Sequence, residues 1–504
     1  MKRIIFLSFI FVSLLNFSIA DELKPLVIDA DLVDYNGKRI ILQGNSTVDH
    51  ELGKVEAQRI TLIPENEGKK LRISFLKMNG EVKIALQDGG HLCCSEAEID
   101  YHTLSGKFLS GNPEEYVVYS ELLKGRDPKA ATPLQVKSRD MSIRLQREDK
   151  QGPSVMVIQQ ITADNDVSVH YNQDFIALAD HGLYERRELQ GQEGVISSHA
   201  VTGMVSLYAN EHSGICQVNN DNGDMIKADR ITIDTFKREL QFDAPKGTIF
   251  TSKEGSAKSE IDFSCETMIW NEPQDLLILR DHVEVVHKGM GTLTNPTEIR
   301  VQRQLINGHK QVSLIDCMGN SVLTFQEEKK NQNHIITTHH RFVLDHQRLQ
   351  AHMDSPRDAN NHVLENLQVH FNDAMGDIYA DEAFITYQEI NKKMTPVKLL
   401  LKGNVWLLGR TSIDKDDPGK ILQFAMADRL EYDIAAKEML FLADFNKRVL
   451  FFDKSNNLQI SAPSVKAKRD PQTHKDAIQG MGDVRFSFIE KEFDLLKKRF
   501  AELN

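Results

Sequence analysis

Chemistry in this chain would have to come from a few short clusters. His91-Leu92-Cys93-Cys94 offers soft ligands, and His334, His339 and His340 lie close together. Neither set has partners at the spacing of a zinc site. Asp373 and Asp377 are the nearest candidates for a facing carboxylate pair of the kind that cleaves glycosides, but they flank Ala374-Met375-Gly376 and read as turn residues. No G-x-S-x-G elbow, H-E-x-x-H pair, Walker loop or C-x-x-C pair is present. The sequence therefore predicts no catalytic residues, no metal and no cofactor, and the chain is not expected to be an enzyme.

The bulk properties narrow the class further. A net charge of -12 over 504 residues, with basic residues only in small mixed clusters, argues against nucleic acid as a partner. Hydrophobic residues at 40% and charged residues at 27% suit a folded chain with a substantial core. The five cysteines are an odd and scattered set, Cys93 and Cys94 being adjacent, so no disulfide framework is expected. Cys216, Cys265 and Cys317 sit in apolar alternating stretches and read as small buried hydrophobes. At the N-terminus, Lys2 and Arg3 precede an apolar run from Ile4 to Leu15, and Ser18-Ile19-Ala20 follows as a small-x-small cleavage pattern. Residues 1–20 thus read as a signal peptide, removed after Ala20, and the run is too short to span a bilayer.

Behind it the chain repeats. A small-residue-then-acid element occurs at Ala30-Asp31, Ala97-Glu98, Ala228-Asp229, Ala380-Asp381 and Ala427-Asp428, followed by alternating apolar residues and often Tyr. Degenerate copies start near Ala57, Ser138, Ala179, Cys265, Thr297, Thr338 and Ala462. The interval is mostly about forty residues, the size of a stacked supersecondary unit. A second element falls between these copies: Leu42-Gln43-Gly44-Asn45, Asn79-Gly80, Asn165-Asp166, Asp281-His282 and Lys402-Gly403-Asn404, each leading into alternating apolar residues. Gly, Asn and Asp tolerate positive φ, which marks a bend, and period-two alternation marks a strand with one buried face. The Ala and acid of the first element are expected to be structural, a small residue at a close approach and a carboxylate for turn amides.

Two stretches depart from this rhythm. Residues 111–133 carry three prolines and a short amphipathic run, Glu114 to Leu123, and read as a surface insertion with a helical turn, or a linker. In the tail, Phe488, Phe493, Leu496, Phe500 and Leu503 fall at mostly helical spacing with acids early and bases late, predicting a helix over 485–504 that caps an open sheet end. The predicted layout is residues 1–20 signal peptide, 21–110 a first β region, 111–133 insertion or linker, 134–484 β continuation and 485–504 terminal helix.

The pairing of A-D-x-x-x-Y-D with L-x-G-N-V-x-V resembles the OstA-like family of periplasmic lipopolysaccharide-transport proteins (LptA-type carriers and the periplasmic domain of LptD-type assembly proteins). Ala30 to Val48 and Ala380 to Leu407 carry the resemblance most fully, and Ala427 to Phe452 keeps its first half. It implies an all-β, elongated repeat β-jellyroll of stacked V-shaped antiparallel strands. It also implies an apolar groove for acyl chains and end-to-end strand pairing with other lipopolysaccharide-transport proteins. The chain is longer than a single carrier domain and lacks a C-terminal run of barrel strands, so a tandem or extended bridge fits best.

Elementary energetics leads to a similar expectation. Each acyl methylene left in water costs roughly 0.8 kcal/mol, so a lipid crossing an aqueous compartment needs an apolar cleft. The inward members of the alternating sets are the groove candidates: Ile40, Leu42 and Val48; Val82, Ile84 and Leu86; Val283 and Val285; Val405 and Leu407. The same residues would equally fill the sealed core of a structural or adhesive β-solenoid, and alternation does not separate the two. A polysaccharide-cleaving β-helix would need aromatic sugar platforms, and the only tryptophans, Trp270 and Trp406, fall on predicted strands.

Overall fold

The computed structural model describes residues 26–486 except 68–69, 125–130, 149–154, 173, 189–200, 211–213, 215, 251–259, 288–289, 307–308, 328–331, 365, 374–375, 391–392, 411–420, 455–457 and 470–475. The expected signal peptide and tail helix lie outside the described residues, save that Arg485–Phe486 is a strand. Every pairing is antiparallel and no helix occurs among the described residues, so the chain is all-β. Contacts divide it into two compact units, Met1–Leu122 with Gln135–Asp164, and Leu123–Leu134 with Asn165–Asn504.

In the second unit the chain builds two ladders at once, by alternation. A hairpin of Arg230–Asp234 and Glu239–Asp243 belongs to a first ladder. The next, Lys246–Phe250 with Glu260–Ser264, belongs to a second. Thr267–Asn271 and Leu276–Arg280 return to the first ladder, where Leu240 pairs with Trp270. Val283–His287 and Gly291–Asn295 return to the second, where Phe263 pairs with Val285. The hand-over continues through the hairpins of Glu298–Ile306, Ser321–Glu327 and Arg341–Asp345. In the first unit, long strands do the same within their own length: Ile40–His50, Gly53–Glu67 and Lys70–Leu86 each pass from one ladder to the other at a register break.

The passage between ladders explains why the two sequence elements travel together. Gly44 (φ 91°), Gly80 (φ 78°) and Gly403 (φ 74°) sit at the breaks in a conformation that favours glycine. A Cβ on Gly44 would lie 2.1 Å from Asp31 Oδ2, and one on Gly403 2.4 Å from Asp381 Oδ2. The acid of the first element thus occupies the space a side chain would need at the bend of the second. It is held there by hydrogen bonds: Asn45 N–H donates to Asp31 Oδ2 (3.1 Å), and Asn404 Nδ2 to Asp381 Oδ2 (2.9 Å). Asp381 N–H in turn donates to Gly403 O at 2.9 Å. Asn165, Asp166, Asp281 and His282 adopt positive φ at the corresponding bends.

This contact makes a direct prediction. Gly403→Ala will lose about 1–3 kcal/mol, because the new methyl adds backbone strain and displaces Asp381 from its amide donors. Gly37→Ala serves as the control, since Gly37 has the same sign of φ (82°) with nothing near its Cβ. Urea midpoints that fall equally in the two variants would assign the loss to backbone strain alone.

Two sequence expectations change. The run Glu114 to Leu123 is not helical: Val117–Lys124 is a strand, paired through Tyr119 with Leu92. Val117, Tyr119 and Leu123 are buried at strand spacing, so period two governs and the helical period does not. Within residues 111–133, Val117–Lys124 thus contributes to a ladder, while residues 111–116 before it are exposed and outside any strand. Cys265 is only half-buried and its thiol donates to Thr267 O, whereas Cys216 and Cys317 are buried as expected.

Candidate functional site

The space between the two ladders of each unit is lined by apolar side chains that alternate with outward polar ones. Of the ten groove candidates, Leu42, Val48, Val82, Ile84 and Leu86 in the first unit and Val283, Val285, Val405 and Leu407 in the second are buried, with exposures of 0–7%. Ile40 is only partly buried. It sits beside the hairpin turn at Asn36–Arg39, where its partner Tyr35 is exposed and offers no cover. Apart from Ile40 and Leu42, all the candidates fall on the second ladder. The opposite wall was missed: Ile231, Leu240, Phe242, Trp270, Leu277 and Leu279 line the first ladder with exposures of 0–1%. Its signal was present in the apolar alternation that follows each Ala-Asp pair, as in Ile231 and Ile233 after Ala228-Asp229.

The bends close one side of this space with covalent chain. At the opposite side the hairpin-turn ends of the two ladders meet; among the described residues they are joined by side-chain contacts and, in the first unit, by one backbone hydrogen bond from Met156 N–H to Glu51 O (3.3 Å). In the first unit, His50 at a second-ladder turn lies 3.0 Å from the hydroxyl of Tyr101 at a first-ladder turn. His50 Nδ1 accepts the Leu52 N–H (3.0 Å), which in the neutral ring leaves Nε2–H to donate to Tyr101 Oη. Burial pushes the Tyr101 phenol well above its ordinary value, so it stays protonated. Arg147 Nη2 and Glu51 Oε1 form a second contact at 3.3 Å.

The second unit is joined more deeply. Asp224, in the turn between Cys216–Asn220 and Met225–Lys227, accepts Asn220 Nδ2 (2.7 Å) and the Phe250 N–H (2.9 Å). Arg303 reaches it from the first ladder, with Nη2 2.7 Å from Asp224 Oδ2 and both side chains at 0–1% exposure. The distance is that of an ion pair, although the angle falls short of a hydrogen bond, and Nε and Nη1 meet no acceptor among the described residues. The guanidinium lies 5.3 Å from the ring centre of Trp270, within range of a cation–π contact. Further along, the rings of His287 and His346 approach to 5.6 Å, again one from each ladder. Burial, and secondarily the neighbouring His287, push the His346 imidazole down to about 4, with Asp345 opposing.

The clusters first considered for chemistry do not converge. His334 is packed between the rings of Phe325 and Phe371, His339 faces Asn320, and His340 pairs with Asp354. Among the described residues no group of three or more His, Cys, Asp or Glu side chains is gathered for a metal. Asp377 is a strand residue and not a turn residue, bound by His370 Nε2 (2.9 Å), Asn372 Nδ2 and Arg410 Nη2.

No family model matches the chain, and no curated protein matches it significantly. Function must therefore be argued from the geometry and from the sequence motifs.

Proposed function

We propose that this chain is an exported, periplasmic lipid-binding bridge or carrier, which takes the acyl chains of lipopolysaccharide or a similar lipid between its two ladders and passes them toward the outer membrane. The observation that carries the reading is the asymmetry of the interior: apolar walls, one side closed by the continuous chain at the bends, the other by non-covalent contacts between turn ends such as His50 with Tyr101 and Asp224 with Arg303. Such a space can admit a lipid from the side without unfolding, once the turn ends part. Each methylene buried there is worth roughly 0.8 kcal/mol, so a few acyl chains can offset the lost contacts between turn ends.

The alternating hairpins and their paired Asp-and-Gly bends are what a V-shaped, OstA-like β-jellyroll calls for, and the sequence resemblance points the same way. End-to-end assembly with other transport proteins has a suitable edge in Leu32–Tyr35, where Leu32, Val33 and Tyr35 are more than half exposed. An exposed apolar edge strand is a template for strand addition. In this reading the protein binds and conducts and performs no catalysis.

The near-complete burial of nine candidates favours a second reading, a structural or adhesive β-solenoid with a sealed core. Photo-crosslinking separates the two. A reactive residue at Leu42, Val283 or Val405 is expected to label with lipopolysaccharide, while the exposed Lys402 position is not. Labelling at none of the three inward positions would leave the sealed solenoid.

A further inference from the structure

Three hydrogen-bond donors inside the second unit have no acceptor among the described residues. Trp270 belongs to the first ladder, its strand Thr267–Asn271 pairing with Glu239–Asp243 and Leu276–Arg280. The indole is buried, and its Nε1–H meets no acceptor. Arg303 follows Ile299 and Val301 at strand spacing in Glu298–Ile306, which turns it inward beside that indole, its guanidinium carbon 5.3 Å from the ring centre. It too is buried, and its Nε and Nη1 are the other two open donors. Buried N–H groups are almost always paired, because leaving one open forfeits its hydration with nothing in return. Three in one place point to an acceptor that enters from outside the chain.

The local charge balance selects the kind of acceptor. Asp224 Oδ2 stands 2.7 Å from Arg303 Nη2, so these two charges already cancel. Two residues on from Trp270, Glu272 is likewise paired, 2.6 Å from Arg238 Nη2. A carboxylate or phosphate brought among these groups would be a buried charge with no counter-charge left to meet it. A carbonyl oxygen carries no such cost and has two lone pairs to accept with. The surroundings are otherwise apolar: Phe175 packs edge-on to Trp270 with ring centres 4.9 Å apart, and Leu240 and Leu277 flank the indole across the strands. Arg303 and Asp224 also join the turn ends, so the donors stand just inside the side closed by non-covalent contacts. That is where the linkage between chain and headgroup comes to rest when a lipid enters chains first.

We propose that Trp270 Nε1 and Arg303 Nε and Nη1 form a recognition site for the ester or amide carbonyls that join acyl chains to a lipid headgroup. This role rests on the lipid-binding reading and deepens it: the interior selects acylated lipids over lipids of the same chain length that lack carbonyls.

Two phospholipids give the test: diacyl phosphatidylethanolamine and its dialkyl ether analogue, equal in chain length and headgroup and differing only in the carbonyls. Both are offered to the full mature chain in the same vesicles and in equal amounts, and the bound lipid is extracted and weighed by mass spectrometry. The diacyl form is expected to be bound in about tenfold to a hundredfold excess. Because the readout is a ratio, it does not depend on how much of a variant folds. Trp270→Phe keeps an aromatic ring and removes one donor, and Arg303→Lys keeps the charge facing Asp224 and removes the guanidinium fork; each should bring the ratio toward one. Equal uptake of the two lipids by the unaltered chain overturns the proposal and leaves the lipid-binding reading standing, with water as the acceptor. An unchanged preference in both variants overturns it too, as does a preference for a fatty-acid carboxylate over its methyl ester, which would assign the donors to an anion. Uptake of neither lipid also overturns it, and the lipopolysaccharide crosslinking then decides the lipid-binding reading by itself.

Discussion

Replacing Asp224 with alanine will cost about 3–5 kcal/mol, because it strands the Arg303 guanidinium in a fully buried site with no counter-charge. Among the described residues Arg303 has no second ion-pair partner, and the contact with the Trp270 ring at 5.3 Å is worth about 2 kcal/mol at most when desolvated. The Phe250 N–H and Asn220 Nδ2 also lose their acceptor, although both are donors of ordinary strength. The paired exchange Asp224→Leu with Arg303→Met behaves differently. It removes both charges along with their desolvation cost, and most of the lost stability returns. Urea denaturation of the single and paired variants measures this, and equal losses in the two would show that the ion pair itself, and not an unbalanced charge, was the stabilising feature. The paired variant also probes function, since an apolar join should hold the turn ends together and lower lipid labelling at Val283. Undiminished labelling there would place lipid entry elsewhere along the interior.

Acid will loosen the same side of the molecule through His346. Its folded-state value of about 4 lies below the ordinary 6.5, so the folded protein holds the ring neutral while the unfolded chain takes up a proton. The stability contributed by the neutral ring is therefore complete above pH 6.5 and is lost as pH falls toward 4. The full loss is about 2–3 kcal/mol across that window. The causes are burial first and then the imidazole of His287, while Asp345 acts in the opposite direction. His346 Nε2 finds no protein acceptor among the described residues, so a proton gained there has no compensating hydrogen bond. His346→Phe keeps a flat ring against His287 and removes the titration. The variant should lose markedly less stability than the parent between pH 7 and pH 4.5. Parallel losses in the two proteins would exonerate His346.

Much of this architecture can be read from single residues in order. The bends at Gly44, Gly80, Asn165, Asp281 and Gly403 are marked by the residue types that tolerate positive φ, and the structure places positive φ at each. The paired acid is visible too, as a residue kept at a fixed place in the repeat. The membership of each strand in one ladder or the other is not legible, since it depends on pairing between a hairpin and the hairpin two places on, which leaves no local mark. That is why the candidates fall almost entirely on one wall. Arg303 could have been found: Ile299, Val301 and Arg303 alternate in Glu298–Ile306, which puts the arginine on the inward side. Its partner could not, because Asp224 lies in a turn whose sequence resembles any other Asn-Asp-Gly loop. The strand at Val117–Lys124 is easily mistaken for a helix because Val117, Val118, Leu122 and Leu123 satisfy a helical spacing as well as a strand one, and only their neighbours in the ladder decide.

The alternation of hairpins also imposes a parity on the chain. Between Arg230 and Asp354 each hairpin hydrogen-bonds to the hairpins two before and two after it and not to its immediate neighbours in sequence. Losing or duplicating two consecutive hairpins leaves every later strand on its own wall and changes only how far the array reaches. Losing one would send all later strands to the opposite wall, with bends and turn ends exchanged. Descendants of such a chain can change length only in steps of two hairpins, about forty residues at a time, so the sequence period is the smallest increment by which its reach can grow.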